Sequence, residues 1–192
     1  MKIKSFLAFW SASMVLLLYQ GIISVQGSPN RSNISSNEVI SNFPEILNVG
    51  SILECGDYQI QIMGQPVVTK SSNSIIADLD LKYLIVRIGI SNTSDQTKKW
   101  LAPNSFTAQE TYLNHAYGTY HLDYIMSAKA SSGFNLPPFF SSIEPGKMLS
   151  TVLVFEIFPE AENWIITFSP STFTGETSSE NVKFLLPKAL KQ

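Results

Sequence analysis

Two histidines, His115 and His121, lie six residues apart, and Asp123 follows two positions later. A base, a second imidazole and a carboxylate are the residue types from which a hydrolytic relay or a zinc site is assembled. The surrounding pattern does not support either chemistry. No G-x-S-x-G elbow supplies a nucleophile, and no H-E-x-x-H or C-x-x-C spacing supplies further metal ligands. A solvated or hydrogen-bonded surface role is the simpler reading of all three. Asp78 and Asp80 would share one strand face and could offer carboxylates to calcium, yet the Gly-bearing twelve-residue loop is absent, so they read as solvated aspartates. Glu156 interrupts an apolar run and could be mistaken for a general acid with a raised pKa. One acid without a partner across a cleft is more simply an outward-facing or paired residue. Cys55 is the one cysteine, so no intramolecular disulfide forms; a thiol nucleophile or an intermolecular disulfide in an oxidising compartment are its chemical alternatives, but beside a strand it reads as a small buried hydrophobe.

Recognition is better supplied than catalysis. Trp100 follows Lys98 and Lys99 in a turn-rich stretch, where an exposed indole suits a binding patch as well as it suits packing over the end of a domain. Tyr112, Tyr117, Tyr120, Tyr124, Phe134, Phe139 and Phe140 form an aromatic cluster around residues 112–140, which lines either a recognition surface or a core. The candidate surface is therefore Trp100, Tyr117, Tyr120, Tyr124, Phe134, Phe139 and Phe140.

The elements that must carry these residues have a period of two. Tyr58, Ile60 and Ile62 alternate with Gln59 and Gln61; Leu84, Val86, Ile88 and Ile90 alternate with a wetter face that includes Tyr83, Arg87 and Ser91. Both are strands with one buried face. Residues 149–158 (LSTVLVFEIF) are apolar on nearly both faces, which predicts a central strand, and residues 164–168 alternate in a further strand that a short connection would make its hairpin partner. Weaker strands are predicted at 46–49, near 106–112, near 117–126 and at 182–186. Turn residues at 48–50, 64–66, 92–96, 114–118, 137–138 and 144–146 divide these runs. No segment carries a sustained 3.6 period with caps, and a helical turn within 125–132 would be short. The expectation is an all-β, immunoglobulin-like antiparallel β-sandwich behind an N-terminal signal segment.

Lys2 and Lys4 precede an apolar stretch over 6–19, and Val25 and Gly27 occupy the small-residue places of a cleavage site before Ser28. Residues 1–27 thus read as a signal peptide, which makes the product secreted. An uncleaved anchor over 6–23 is the alternative, and only then would the chain meet a membrane. Residues 28–44, in which nine of 17 positions are Ser or Asn, read as a disordered linker; 45–170 form the sandwich, and 171–192 a tail with room for one added strand. The 192 residues are 44% hydrophobic and 11% aromatic, with a net charge of −2. That composition excludes coiled-coil and wholly disordered chains, and a chain without excess positive charge is no partner for nucleic acid.

Three ordered segments resemble the bacterial secreted domain-of-unknown-function family 4352, which is related to the mycobacterial immunoprotective extracellular antigen. They are LNVGSILECGDYQIQI (47–62), KYLIVRIGISNTSD (82–95) and IEPGKMLSTVLVFEI to WIITFSP (143–170). The resemblance implies an immunoglobulin-like fold and a secreted protein. The chain departs from it in lacking the lipid-attachment cysteine of many relatives and in an insert over 120–138. Gly50, Gly56 and Gly146 fit places needing positive φ, Pro145 pre-sets a type II turn, and Asn92 can close a strand end.

The function expected from all this is a non-catalytic module, without cofactor or metal, that binds a protein or a cell-envelope component through loops at one end of the sandwich. The alternative is a metal-dependent or hydrolytic extracellular enzyme using His115, His121 and Asp123, which requires those side chains to converge.

Overall fold

The computed structural model describes residues 38–39, 44–72, 75–77, 80–98, 100–112, 115–158, 163–171 and 180–191. The signal peptide and nearly all of the expected linker lie outside this set. Among the described residues no helix is long and apolar enough to cross a membrane.

The strands in chain order are β1 (Glu38–Val39), β2 (Ile52–Cys55), β3 (Tyr58–Ile62), β4 (Val67–Thr69), β5 (Ser71–Ser72), β6 (Ile75–Ile76), β7 (Lys82–Asn92), β8 (Phe106–Tyr112), β9 (His115–His121), β10 (Met148–Ile157), β11 (Asn163–Phe168), β12 (Val182–Leu185) and β13 (Leu190–Lys191). One helix, α1 (Tyr124–Gly133), lies between β9 and β10. Sheet A has the order β1-β9-β8-β11-β12, and sheet B the order β13-β4-β7-β3-β2 with β10 on β7. All pairings within the sheets are antiparallel except β13 with β4.

The expected all-β sandwich is what forms, because the alternating residues of both sheets meet in one core. Ile60, Ile62, Leu84, Val86, Ile88 and Ile90 from sheet B share it with Phe106, Trp164, Ile166, Phe168 and Phe184 from sheet A. Tyr58 crosses between the sheets, its ring edge-on to Phe168 at 5.7 Å. Each such side chain contributes about 1.5–3 kcal/mol by leaving water, and the large aromatics most. A second, smaller cluster of Ile75, Tyr83, Ile85, Ala130, Val152 and Val154 lies on the other face of sheet B, beneath α1 and β6. Tyr83, assigned to a wet face by alternation, is therefore 2% exposed. Alternation states which residues share a face; it does not state whether something covers that face.

Three further expectations are corrected by pairing. The apolar strand β10 is not central: among the described strands it pairs with β7 alone, in register from Met148 opposite Ser91 to Ile157 opposite Lys82. Its two apolar faces line the main core and the cluster under α1. Nor do β10 and β11 form a hairpin, since β10 belongs to sheet B and β11 to sheet A, between β8 and β12. Residues 46–49 give one parallel bridge, Ile46 to Leu185, and then a turn instead of a strand. Past residue 170 the chain supplies two strands, β12 beside β11 and β13 beside β4. Within the linker region, β1 pairs with His115 and Ala116.

The helix replaces the end of the strand expected over 117–126. The Asp123 carboxylate caps it by accepting from the Met126 amide at 2.9 Å. At the other end Asn135 takes φ 56°, with its amide on Ser132 O and the Leu136 amide on Ser131 O, a Schellman closure. Its buried residues are Ser127, Ala130 and Ser131, all small, so it presents no stripe of large apolar side chains for the sequence to announce.

What α1 covers is the outer edge of β10. Ser127 Oγ accepts from the Val154 amide at 2.9 Å, and Ser131 Oγ accepts from the Val152 amide at 3.1 Å. The Asp123 amide donates to Val154 O at 2.9 Å. A long apolar edge strand is a template for aggregation, and here two serine hydroxyls and the start of a helix occupy the groups an incoming strand would use.

Candidate functional site

One end of the sandwich is built around Asn92, the last residue of β7. Its side chain is fully buried and fully used: Nδ2 donates to Gln96 O at 2.6 Å and Ile143 O at 2.9 Å, while Oδ1 accepts from the Ser94 amide and hydroxyl at 3.0 and 2.8 Å. Its backbone bonds Lys147 O and the Gly146 amide. Asn92 thereby ties the loop that leaves β7 to the turn Glu144–Lys147, in which the Lys147 amide reaches Glu144 O and Gly146 takes φ 66°. That is the Pro-Gly turn read from the sequence, at the place where only glycine adopts the angle without strain.

The loop is then clamped at successive points. The Thr93 amide donates to Asp57 O, Lys98 exchanges two backbone bonds of 2.9 Å with Ile143, and the Lys98 ammonium pairs with the Asp57 carboxylate. Beyond it Leu101 is buried, and the Ala102 amide donates to Ser171 O at 2.8 Å. Between these clamps stands Trp100, 59% exposed, with φ 23°. A tryptophan in the positive-φ region is strained by about 1–3 kcal/mol, and such residues persist where the surroundings over-determine them, often at ligand clamps. The indole is exposed between the backbone hydrogen bonds of Lys98 and Ala102.

The other aromatic candidates divide. Tyr124 is 52% and Phe134 37% exposed, at the two ends of α1. Phe134 packs beneath the Arg87 guanidinium, 5.5 Å from its ring centre. Tyr120 and Phe139 are buried at 6% and 0%, which removes them from any binding surface. Tyr120 lies edge-on to Trp164 at 5.5 Å and bonds the Glu110 carboxylate; Phe139 lies edge-on to Phe140 at 5.4 Å, and Phe140 packs half-buried on the core. Tyr117 is placed in β9, and its side chain lies outside the described set. The aromatic run is thus divided between core and surface, with β9 turning Tyr120 into the sandwich and 139–143 closing its end. Tyr112, 67% exposed at the end of β8, is surface.

The residues of the hydrolytic or metal reading are not assembled. His115 and His121 are the first and last residues of β9, which at 3.3 Å per residue puts their backbones about 20 Å apart. Asp123 is engaged in capping α1. Among the described residues no group of three His, Cys, Asp or Glu side chains could hold a metal ion. Asp80 is exposed, and Asp78 lies outside the described residues. Glu156 stands half-buried on the same face of β10 as Val152 and Val154. Cys55 is buried at 2%, and burial first, then the nearby Glu180 carboxylate, pushes its thiol pKa up. That is the reverse of what a nucleophilic cysteine needs.

No family model matches the chain, and no curated protein matches it. Solved structures do. The ycdA protein of Bacillus subtilis, provisionally described as a lipoprotein, is similar with a TM-score of 0.50 and 16% identity over 73% of this chain, which corresponds to only 39% of that one. An uncharacterized β-sandwich protein of Clostridium difficile matches at a TM-score of 0.44 and 17% identity, over 80% of this chain and 98% of its own. The yjhA protein of Bacillus subtilis matches at 0.46 and 12% identity, over 76% and 98%. At these identities the likeness is one of fold.

Proposed function

We propose that this chain is a secreted, non-catalytic immunoglobulin-like module that binds a protein or cell-envelope component through the Trp100 end of the sandwich. The observation that carries the reading is Trp100 itself: an exposed indole at positive φ, flanked by the backbone hydrogen bonds of Lys98 and Ala102. Tryptophan is enriched among the few residues that dominate interface energies, and a segment whose flanking backbone is already bonded loses less entropy on binding. Export is supported by the signal pattern of residues 1–27 and by the resemblance of three segments to a secreted family. The provisional description of the ycdA protein as a lipoprotein is in keeping with it.

The test compares the full chain with its Trp100→Ala variant for binding to envelope preparations of the source organism, after urea unfolding has shown equal stability. Loss of a buried hot-spot indole costs about 2 kcal/mol or more, so the variant should bind roughly thirtyfold or more weakly. Equal binding by the two proteins would remove this surface. Cleavage of the signal is checked separately by an N-terminus at Ser28 in the exported protein.

A further inference from the structure

The geometry points to a second site on the outer face of sheet B: a thioether pair, Met63 and Met148, that would hold one soft monovalent d10 cation such as Cu(I) or Ag(I). The starting observation is Gly89, an interior residue of the long strand β7 between Ile88 and Ile90. Glycine weakens a strand, and its φ here lies outside the positive region that would require it. What it provides is space. A Cβ built on Gly89 would lie 2.7 Å from Met148 Sδ and 3.3 Å from Met63 Sδ, the first distance closer than real contacts allow.

Both sulfurs therefore converge over the bare backbone of one residue. Since they lie 2.7 and 3.3 Å from a common point, they are at most about 6 Å apart. Two-coordinate binding of a soft cation needs sulfurs on the order of 4.5–5 Å apart, and each methionine has three rotatable bonds with which to adjust. The strands fix the stems: the Met63 amide donates to Arg87 O at 2.8 Å, and Met148 is paired opposite Ser91. The pair is open to solvent, with Met148 47% exposed and Met63 partly so. Arg87 shares this face but is stacked on Phe134, and a thioether is a neutral ligand that holds such ions by covalency instead of charge. The same donors discriminate against zinc, calcium and magnesium, which need imidazole, thiolate or oxygen ligands. This site is independent of the Trp100 reading and stands or falls separately.

The probe is Ag(I) in chloride-free buffer, added to the full chain carrying methyl-13C methionine and Cys55→Ser, which removes the one thiol that would compete. One equivalent should shift the methyl signals of Met63 and Met148 together and leave that of Met126 in place. Met63→Leu and Met148→Leu, which keep volume, should each weaken binding about tenfold or more by converting a two-point hold to a single contact. Gly89→Ala, whose methyl would displace the Met148 sulfur, should weaken it without unfolding the protein. The proposal is overturned if neither methyl responds at one equivalent, in which case the methionines only fill the dent over Gly89. It is equally overturned if the surviving methionine of a single variant binds with unchanged affinity, which would mean two unrelated thioethers.

Discussion

Ser127→Ala tests the claim that α1 seals the edge of β10. The Ser127 hydroxyl is wholly buried; it accepts from the Val154 amide at 2.9 Å and donates to Asp123 O at 2.6 Å. Alanine leaves the Val154 N–H buried without a partner, which costs about 1–3 kcal/mol. Against this stands the better helix propensity of alanine, about 0.5 kcal/mol. The lost acceptor wins, for a net loss of about 0.5–2.5 kcal/mol. With a urea slope of about 2 kcal/mol/M, the unfolding midpoint should fall by roughly 0.3–1.2 M, followed through the fluorescence of the buried Trp164. Hydrogen exchange should speed up selectively at the Val154 amide. Ser132→Ala, at an exposed position on the same helix, lacks the lost bond and should be neutral or slightly stabilising. If Ser127→Ala is as stable as the wild type and Val154 stays protected, the hydroxyl is not what satisfies the edge, and the account of why β10 tolerates its position fails.

Other outcomes follow from the same contacts. Asn92→Ala strands two carbonyls and the Ser94 amide at the clamped end of the sandwich, so it should cost about 2–4 kcal/mol and lower Tm by roughly 5–15 °C in a calorimetric scan. The pKa values of Cys55 and Tyr58 are both raised from ordinary values of 9.0 and 10.0, chiefly by burial, with Glu180 adding to the first and Asp57, then Cys55, to the second. The unfolded chain therefore releases these protons at lower pH than the native one. Their contribution is intact below pH 9 and is lost as pH climbs above it, so stability should fall on the alkaline side. Urea midpoints between pH 8 and 11 should show that fall, and Cys55→Ala together with Tyr58→Phe should flatten it.

The sequence determined the period-two elements and the turns between them. Tyr58–Ile62 and Lys82–Asn92 were legible because alternation of apolar and polar residues is a local property, and the Pro145–Gly146 turn because its backbone angles select those two residues. The exposed Trp100 was legible as a candidate from its place among turn residues. Tertiary structure decided what pairs with what. The segment 148–157 reads as central because both faces are apolar, but a strand can be buried on two faces at a sheet edge when a helix lies beside it. That helix was faint because its buried side is Ser127, Ala130 and Ser131, chosen to bring hydroxyls up to a strand edge, and such a face carries almost no hydrophobic signal. The assignment of β10 and β11 to different sheets, the burial of Tyr83, Tyr120 and Phe139, and the meeting of Met63 with Met148 over Gly89 are all relations between residues distant in sequence. They depend on which surfaces close against one another, and that is settled only when the whole chain has packed.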